Sequence, residues 1–373
     1  MIAQSFCQAD CSVSAHAGVK TLVRLGKGTR RPTLKDVAAL AGVSPITVSR
    51  AIREPGRVSP DLRQRIERTI HKLDYVPDQN ASALASTRTN VIGVLIPSLT
   101  NIVFADVLRG MYDAVENSPF QIQIANTRYS PLEEERMLRV FLSQRPAAVI
   151  MTGIDQTAAS RDLLARCDRP VVQIMEKTTD PVDMLVGFSH FEASRALTRH
   201  MLSVGYRRIG YLAARLDPRT QRRIQGYQDA LREAGCADPK LLTATPASSS
   251  MTLGRDMFRD LFGRHPDVDA VLCNNDDLAF GALFECQRSG IRVPDQVGIA
   301  GFNDIEGTAI TCPSLTTVRT PRYEIGRQAI EMAIAAVGGV PAANKSVDLG
   351  YEIVPRESTR PPRPAAESTN TSA

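Results

Sequence analysis

The chain has 373 residues, too many for one ordinary domain and enough for two or three units. An apolar share of 43% supports sizeable cores, yet no run approaches the ~20 apolar residues of a membrane helix. The first 30 residues are polar and mixed, without the apolar stretch of a secretory signal, so a cytoplasmic protein with no membrane partner is expected. The net charge of +5 is uneven: Lys27 to Arg88 holds 12 Lys or Arg against 6 Asp or Glu, and the chain beyond is slightly acidic. A basic excess confined to one end suits a protein that meets phosphates with that end alone.

Seven cysteines, at 7, 11, 167, 236, 273, 286 and 312, are odd in number and scattered, which excludes a disulfide framework. Cys7, Cys11 and His16 lie close together, but a metal site usually takes about four ligands in tighter pairs. No metal and no cofactor is expected. Catalytic signatures are missing too. Gly26-Lys27 is followed by Gly28 rather than Ser or Thr, and there is no G-x-S-x-G elbow and no H-E-x-x-H. An enzyme is therefore not expected.

Residues 1–31 show neither helical nor strand period and are expected to form a flexible extension. Leu34, Val37, Ala38 and Ala41 then fall at i, i+3, i+4 and i+7, one face of a short helix. Gly42 stops it, and Ser44-Pro45 is an N-cap followed by a first-turn proline. Val48 and Ile52 share a face of a second helix. Ser59 caps a third, whose Leu62, Ile66, Ile70 and Leu73 repeat at helical spacing. Three short helices with a tight Gly turn between the first two describe a helix-turn-helix. In that arrangement the start of the second helix enters the major groove, which points Pro45, Ile46 and Arg50 toward base edges. Arg50 can donate twice to a guanine, and Ile46 can touch a thymine methyl. Thr47, Ser49 and Ser59 are better placed for phosphates, and Thr33 and Tyr75 complete the DNA-facing set.

From Asn90 to Tyr351 apolar strands alternate with amphipathic segments. The strands are VIGVLI (91–96), FQIQIA (120–125), AAVIMT (147–152), PVVQIM (170–175), MLVGF (184–188), RIGYLA (208–213), AVLCN (270–274) and QVGIAGF (296–302). Near-continuous apolar strands between helices indicate parallel sheets covered on both faces, and this many units fit two doubly wound subdomains. Ligands of such sheets sit at the carboxyl ends of the strands. The residues that follow the apolar runs are Ser98, Thr152, Glu176, Arg215, Asn275, Asp276 and Asn303, a hydrogen-bonding set suited to a small polyhydroxy ligand; Asn101 joins it. Arg215, Arg219 and Arg223 recur at four-residue spacing, and one or two of them can clasp a carboxylate bidentately. A transport-type solute-binding protein would fit this core, but the missing signal and the fused basic headpiece argue against it. The closing Pro/Ser/Thr-rich stretch (357–373) is expected to be disordered.

The string TLKDVAALAGVSPITVSRAIREPGRVSPDLRQRIERTIHKLDYVPD, with NASALAS, VLCNNDDLAFGAL, GIAGFND and PSLTTVRTP further on, resembles the lactose-repressor (LacI) family from about Pro32 to Arg356. ARLDPRT, AFGALFECQRSGI and VGFSHFEASR look most like its gluconate-utilisation repressors. The resemblance implies an all-α headpiece (32–77), a hinge helix (78–88) and a periplasmic-binding-protein-like α/β core (89–356). The core would divide into one subdomain of about 89–188 plus 318–340 and another of about 189–317 plus 341–356. The hinge is too short and polar to be a stable helix alone. In the family it becomes helical on the operator, where the leucine matching Leu84 wedges between base pairs and the position of Ala81 lets a partner helix approach. Asp78 and Ser82 depart from the common Asn and Arg, removing phosphate contacts. Phe104 matches an apolar wall of the pocket and Arg223 its basic residue. Asn303 stands where many relatives carry Asp, and Ser189-His190 where Asp-Asn is usual; His190 is expected to be structural. The implied function is a sequence-specific repressor of sugar-acid catabolism genes. It would act as a homodimer or tetramer on double-stranded, pseudopalindromic operator DNA and leave it when gluconate or 2-ketogluconate binds, associating with the nucleoid while bound. Alternatives are a regulator of another sugar or nucleoside pathway, or one that needs a co-repressor.

Overall fold

The computed structural model describes residues 31–76 and 89–359, which fall into two compact units. In the first, α1 (Leu34–Ala41), α2 (Pro45–Arg53) and α3 (Pro60–Leu73) pack around Val37, Ala38, Ala41, Val48, Ala51, Ile66 and Tyr75. The turn between α1 and α2 needs Gly42: at φ 65° its N–H reaches back to Ala38 O and Ala39 O, a left-handed ending that costs glycine no Cβ clash. Ser44 then caps α2, accepting the Thr47 N–H at 3.2 Å. Ser59 stands at the N-cap of α3, but its hydroxyl makes no capping hydrogen bond, so Pro60 and Asp61 mark that start instead.

The second unit has two lobes. The first lobe holds β1 (Val91–Ile96), α4 (Val103–Val115), β2 (Gln121–Asn126), α5 (Pro131–Ser143), β3 (Ala148–Thr152), α6 (Ala158–Arg166), β4 (Val171–Ile174) and β5 (Met184–Gly187). The chain crosses to the second lobe through α7 (His190–Ser203), followed by β6 (Ile209–Ala214), α8 (Pro218–Glu233), β7 (Leu242–Thr245), α9 (Met251–Arg264), β8 (Ala270–Cys273), α10 (Asp276–Ser289) and β9 (Gly298–Ala300). It returns through β10 (Thr317–Arg319) to α11 (Arg322–Val337) and β11 (Ser346–Asp348), and ends on β12 (Glu352–Val354).

The first sheet is six-stranded in the order β11-β5-β4-β3-β1-β2 and the second four-stranded in the order β7-β6-β8-β9; all pairings within both are parallel. A short antiparallel pair, β10 with β12, lies on the return path. The eight apolar runs each became a strand, within two residues at either end. Two boundaries change. Residues 341–356 do not all belong to the second lobe, because Ser346–Asp348 pairs with β5 and closes the first sheet. The core also runs past 356: Ser358 Oγ donates to Ile299 O at 2.6 Å, and Ser358 and Thr359 are buried.

Helices α4 and α11 cross with backbone nearly touching. A Cβ on Gly326 would stand 1.9 Å from Val107 O, and one on Gly110 2.1 Å from Tyr323 O. Gly326→Ala must therefore spread the pair, and overpacking of this kind costs about 1–3 kcal/mol. Gly263, exposed near the end of α9 with nothing near its missing Cβ, is the control, and alanine there is neutral or stabilising. Urea unfolding of both variants is expected to show a lowered midpoint for Gly326→Ala alone; equal midpoints would contradict this packing.

Candidate functional site

On the helix-turn-helix unit, Pro45, Ile46 and Arg50 are exposed on the leading part of α2, Ile46 to 70%, while Val48 between them is fully buried. Thr47 and Ser49 are half-buried. Thr33 begins α1 with its N–H and hydroxyl both on the Asp36 carboxylate, at 2.7 and 2.6 Å. Ser59 is exposed. Tyr75 does not present its ring to solvent: at 9% exposure it packs into the helical core. Ala81 and Leu84 lie outside the described residues, as do Cys7, Cys11 and His16. Among the described residues no group of His, Cys, Asp and Glu could hold a metal ion, and no helix is long and apolar enough to cross a membrane.

In the two-lobed unit a cavity of about 350 Å³ opens between the lobes. Ser98, Asn101, Phe104, Tyr129 and Met175 line it from the first lobe, and Arg215, Arg219, Arg223, Asn275, Asp276 and Asn303 from the second. Its walls are the carboxyl ends of strands, as the doubly wound rule requires, with the end of β3 excepted. The first turns of α4, α7, α8 and α10 also begin there, through Phe104, His190, Thr220 and Asp277. Four helix N-termini bias the space toward an anion.

The arginines are held in three ways. Arg223 is nine-tenths buried and has no ion pair among the described residues. Its Nε donates to His190 Nδ1 at 3.1 Å, Nη1 donates to Asn274 O, and its guanidinium lies 3.8 Å from the centre of the Phe302 ring. Because arginine only donates, His190 Nδ1 must be the bare nitrogen, and Nε2–H then donates to Met175 O at 2.9 Å. Burial, with Arg223 and Arg219 beside it, pushes the His190 imidazole well below its ordinary range. Burial lowers Arg223 to about 10, still charged at neutral pH. Arg219 pairs with Asp217 at 3.3 Å. Arg215 has no ion pair among the described residues, and its guanidinium stacks 4.1 Å from the Tyr129 ring centre.

The remaining polar groups are mixed in availability. Asn101 Nδ2 donates to the Tyr129 hydroxyl at 2.9 Å, and Ser98 Oγ holds its own loop through the N–H groups of Thr100 and Asn101. Asn275 caps α10 through Leu278 N–H and also accepts from the Ser249 hydroxyl. Asp276 is committed: Thr317 Oγ1 donates to one oxygen at 2.7 Å and Ile305 N–H to the other at 3.1 Å. Burial pushes its carboxyl up to about 6, against those hydrogen bonds. It braces the loops after β9 more than it offers itself to a ligand.

Two expected residues do not reach the cavity. The Thr152 hydroxyl turns back to Leu95 O at 3.0 Å and lines a separate pocket of about 80 Å³ with Glu134 and Asp155. Glu176 is buried beneath the wall, with one oxygen on the N–H groups of Lys177 and His190. Conversely, Tyr129, Asp217 and Asp277 line the cavity without having been singled out as contacts. Tyr129 sits just past the end of β2, so the strand-end rule reaches it once that strand is followed to its last residue. Tyr129, Met175, Arg215 and Asn303 share a further mark, positive φ at a non-glycine residue, and such strain gathers at working sites.

A helix-turn-helix unit in one chain with a periplasmic-binding-type core that holds an inter-lobe cavity defines a DNA-binding protein with a ligand-binding body. The model for bacterial regulatory proteins of the lacI family matches residues 33–78, and that for a periplasmic binding protein-like domain matches 198–359. The transcriptional regulator GntR of Pseudomonas aeruginosa is 40% identical over 331 residues, 89% of this chain and 96% of the relative. GntR of Escherichia coli K12 is 38% identical over 326 residues, 87% and 98% of the two chains. A LacI-family regulator structure from Silicibacter pomeroyi superposes with a TM-score of 0.83 at 36% identity, covering 88% of this chain and 99% of that one. The GntR structure from Chromobacterium violaceum gives 0.70 at 41%, covering 72% and 99%. The chain belongs to the LacI family of transcriptional regulators: it is a DNA-binding regulator, not an enzyme.

Two outcomes follow from this geometry. Arg50→Ala is expected to cost about 1–3 kcal/mol of operator affinity and to relax discrimination at one base pair, read by titrating single-base operator variants; a uniform loss across all of them would place Arg50 on a phosphate. For His190, the unfolded imidazole takes up a proton near pH ~6.5 that the folded one refuses, so this residue subtracts stability as pH falls below that value. Urea unfolding between pH 7 and 5 should therefore show a shallower loss in His190→Gln than in the parent, and parallel slopes would show that His190 titrates freely in the fold.

Proposed function

We propose that this regulator represses genes of gluconate-type sugar-acid catabolism, and that a sugar acid in the inter-lobe cavity releases it from its operator. The observation that carries this reading is Arg215, a guanidinium in the cavity wall with no ion pair among the described residues, beside Arg219 and Arg223 and beneath four helix N-termini. An anionic head group answers that charge. Asn101, Asn275, Asn303, Ser248 and Ser249 line the same space, and amides and hydroxyls suit the several hydroxyls of an open-chain aldonate. Relatives carrying the GntR name, at 38–40% identity, support the same ligand class.

The regulator acts in the cytoplasm as a homodimer on a pseudopalindromic operator, held at the nucleoid while bound. Exposed Tyr112, Phe284 and Ile310, at 50%, 46% and 81%, supply apolar area for the second copy.

An operator complex titrated with gluconate and 2-ketogluconate, followed by fluorescence anisotropy, tests the reading. At least one acid is expected to release the DNA, while the neutral polyol glucitol does not. Arg215→Gln is expected to raise the acid needed by about tenfold or more, because losing a hydrogen bond to a charged group costs about 1.5–3 kcal/mol, with ligand-free operator affinity unchanged. No response to either acid would end the sugar-acid reading, and tighter DNA binding would make the ligand a co-repressor.

A further inference from the structure

Arg222 lies on α8 between two cavity arginines but does not line the cavity. It reaches across to the first lobe, where Nη1 and Nη2 donate to the two oxygens of Asp155 at 2.9 and 2.6 Å, a bidentate fork on a carboxylate in the loop after β3. The same Nη1 stands 3.4 Å from Glu176 Oε2. That oxygen is buried and makes no hydrogen bond within the described residues, so the Arg222 charge is its neutralising neighbour. One turn of α8 is thereby tied twice to the opposite lobe.

The tie runs directly beneath the ligand groups. Glu176 Oε1 accepts the His190 N–H, and the His190 ring accepts from Arg223. The residue before Glu176, Met175, accepts from the other side of that ring. The short segment after β4 therefore anchors Arg222 through its carboxylate and Arg223 through His190. Moving α8 away from the first lobe would break the Asp155 fork, strip the buried Glu176 of its countercharge and carry Arg219 away from the Tyr129 ring.

We propose that Arg222 is a positioning residue: by clasping Asp155 and Glu176 it holds the lobes in the closed arrangement in which both cavity walls face one ligand. It touches no ligand itself. Its effect on binding rests on the sugar-acid reading above, whereas its effect on the lobes does not. A site completed by both lobes binds in proportion to the fraction of molecules closed, so loosening the clasp weakens the ligand without altering any contact to it.

The full-length protein is compared with Arg222→Met, Asp155→Ala, the double variant and Arg222→Lys. Without ligand, amide hydrogen exchange is expected to rise in Arg222→Met at both 153–157 and 218–226, on opposite lobes, with the helix-turn-helix unit unchanged. Gluconate affinity by calorimetry is expected to fall about fivefold or more, with Arg222→Lys between parent and Arg222→Met and the double variant no worse than Arg222→Met. Unchanged exchange on the two facing segments overturns the clasp. Raised exchange with undiminished affinity, in a parent that binds the acid, overturns the positioning role, and so do fully additive losses. A parent that binds no sugar acid ends the reading of the ligand, and the exchange comparison then decides the clasp alone.

Discussion

The cavity is organised around Arg223, a buried cation that has no ion pair among the described residues. Removing a guanidinium from water is costly unless other groups replace its hydration. Arg223 finds that replacement in a neutral imidazole, a backbone carbonyl and the face of Phe302. None of these three carries a negative charge, so Arg223 stays a cation in the wall that Asp217, Asp276 and Asp277 share. A carboxylate in the place of His190 would have stabilised Arg223 further and closed the site to anions. A neutral histidine at position 190 thus keeps the cation both tolerable and available.

That arrangement needs the neutral tautomer of His190 with its proton on Nε2, and the proton stays there because Met175 O accepts it. Met175 is at φ 68°, a conformation that costs a side-chain-bearing residue of order 1–3 kcal/mol. The strain turns the chain sharply after β4, so that its carbonyl meets the ring while Glu176 faces Arg222. Packing on both sides sustains it: Gly187 leaves no room for a Cβ against the Glu176 backbone, and the His190 ring sits between Phe188 and Phe302. A strained turn, a glycine in the next strand and a neutral histidine form one device.

Much of this was legible from residue order. The three-helix unit followed from apolar spacing, from Gly42 and from the Ser-Pro pair, because local contacts build it. The eight buried strands announced themselves as apolar runs. The strands that were missed are short or weakly buried: β7 (LTAT) and β11 (SVD) carry threonine, serine and aspartate at half-exposed edges, where neighbours rather than composition make the strand. The strand-end rule found most of the wall because it rests on topology. It erred at Thr152 and Glu176, since which way a side chain turns after a strand depends on partners far along the chain, Leu95 for one and Arg222 for the other. Arg222 itself escaped notice because four-residue spacing picks out one face of α8, whereas the arginine that reaches the other lobe points off that face.

The chain uses arginine in two regimes, and the difference lies in the dielectric around each. Arg50 is exposed on a unit with few acidic neighbours, where attraction to phosphates is long-ranged, screened by salt and quickly made or lost. Arg223 is buried, so its interaction with an anion is stronger, less screened by salt and dependent on a close geometric fit. Surface charge suits a search along DNA, in which most encounters must be abandoned. Enclosed charge suits recognition of a small metabolite against a background of phosphates and chloride, since an anion that cannot also satisfy the amides and hydroxyls around Arg223 gives up its water for too little in return. Opening the lobes would return the buried arginines to the first regime and erase that selectivity, so closure and recognition are one requirement.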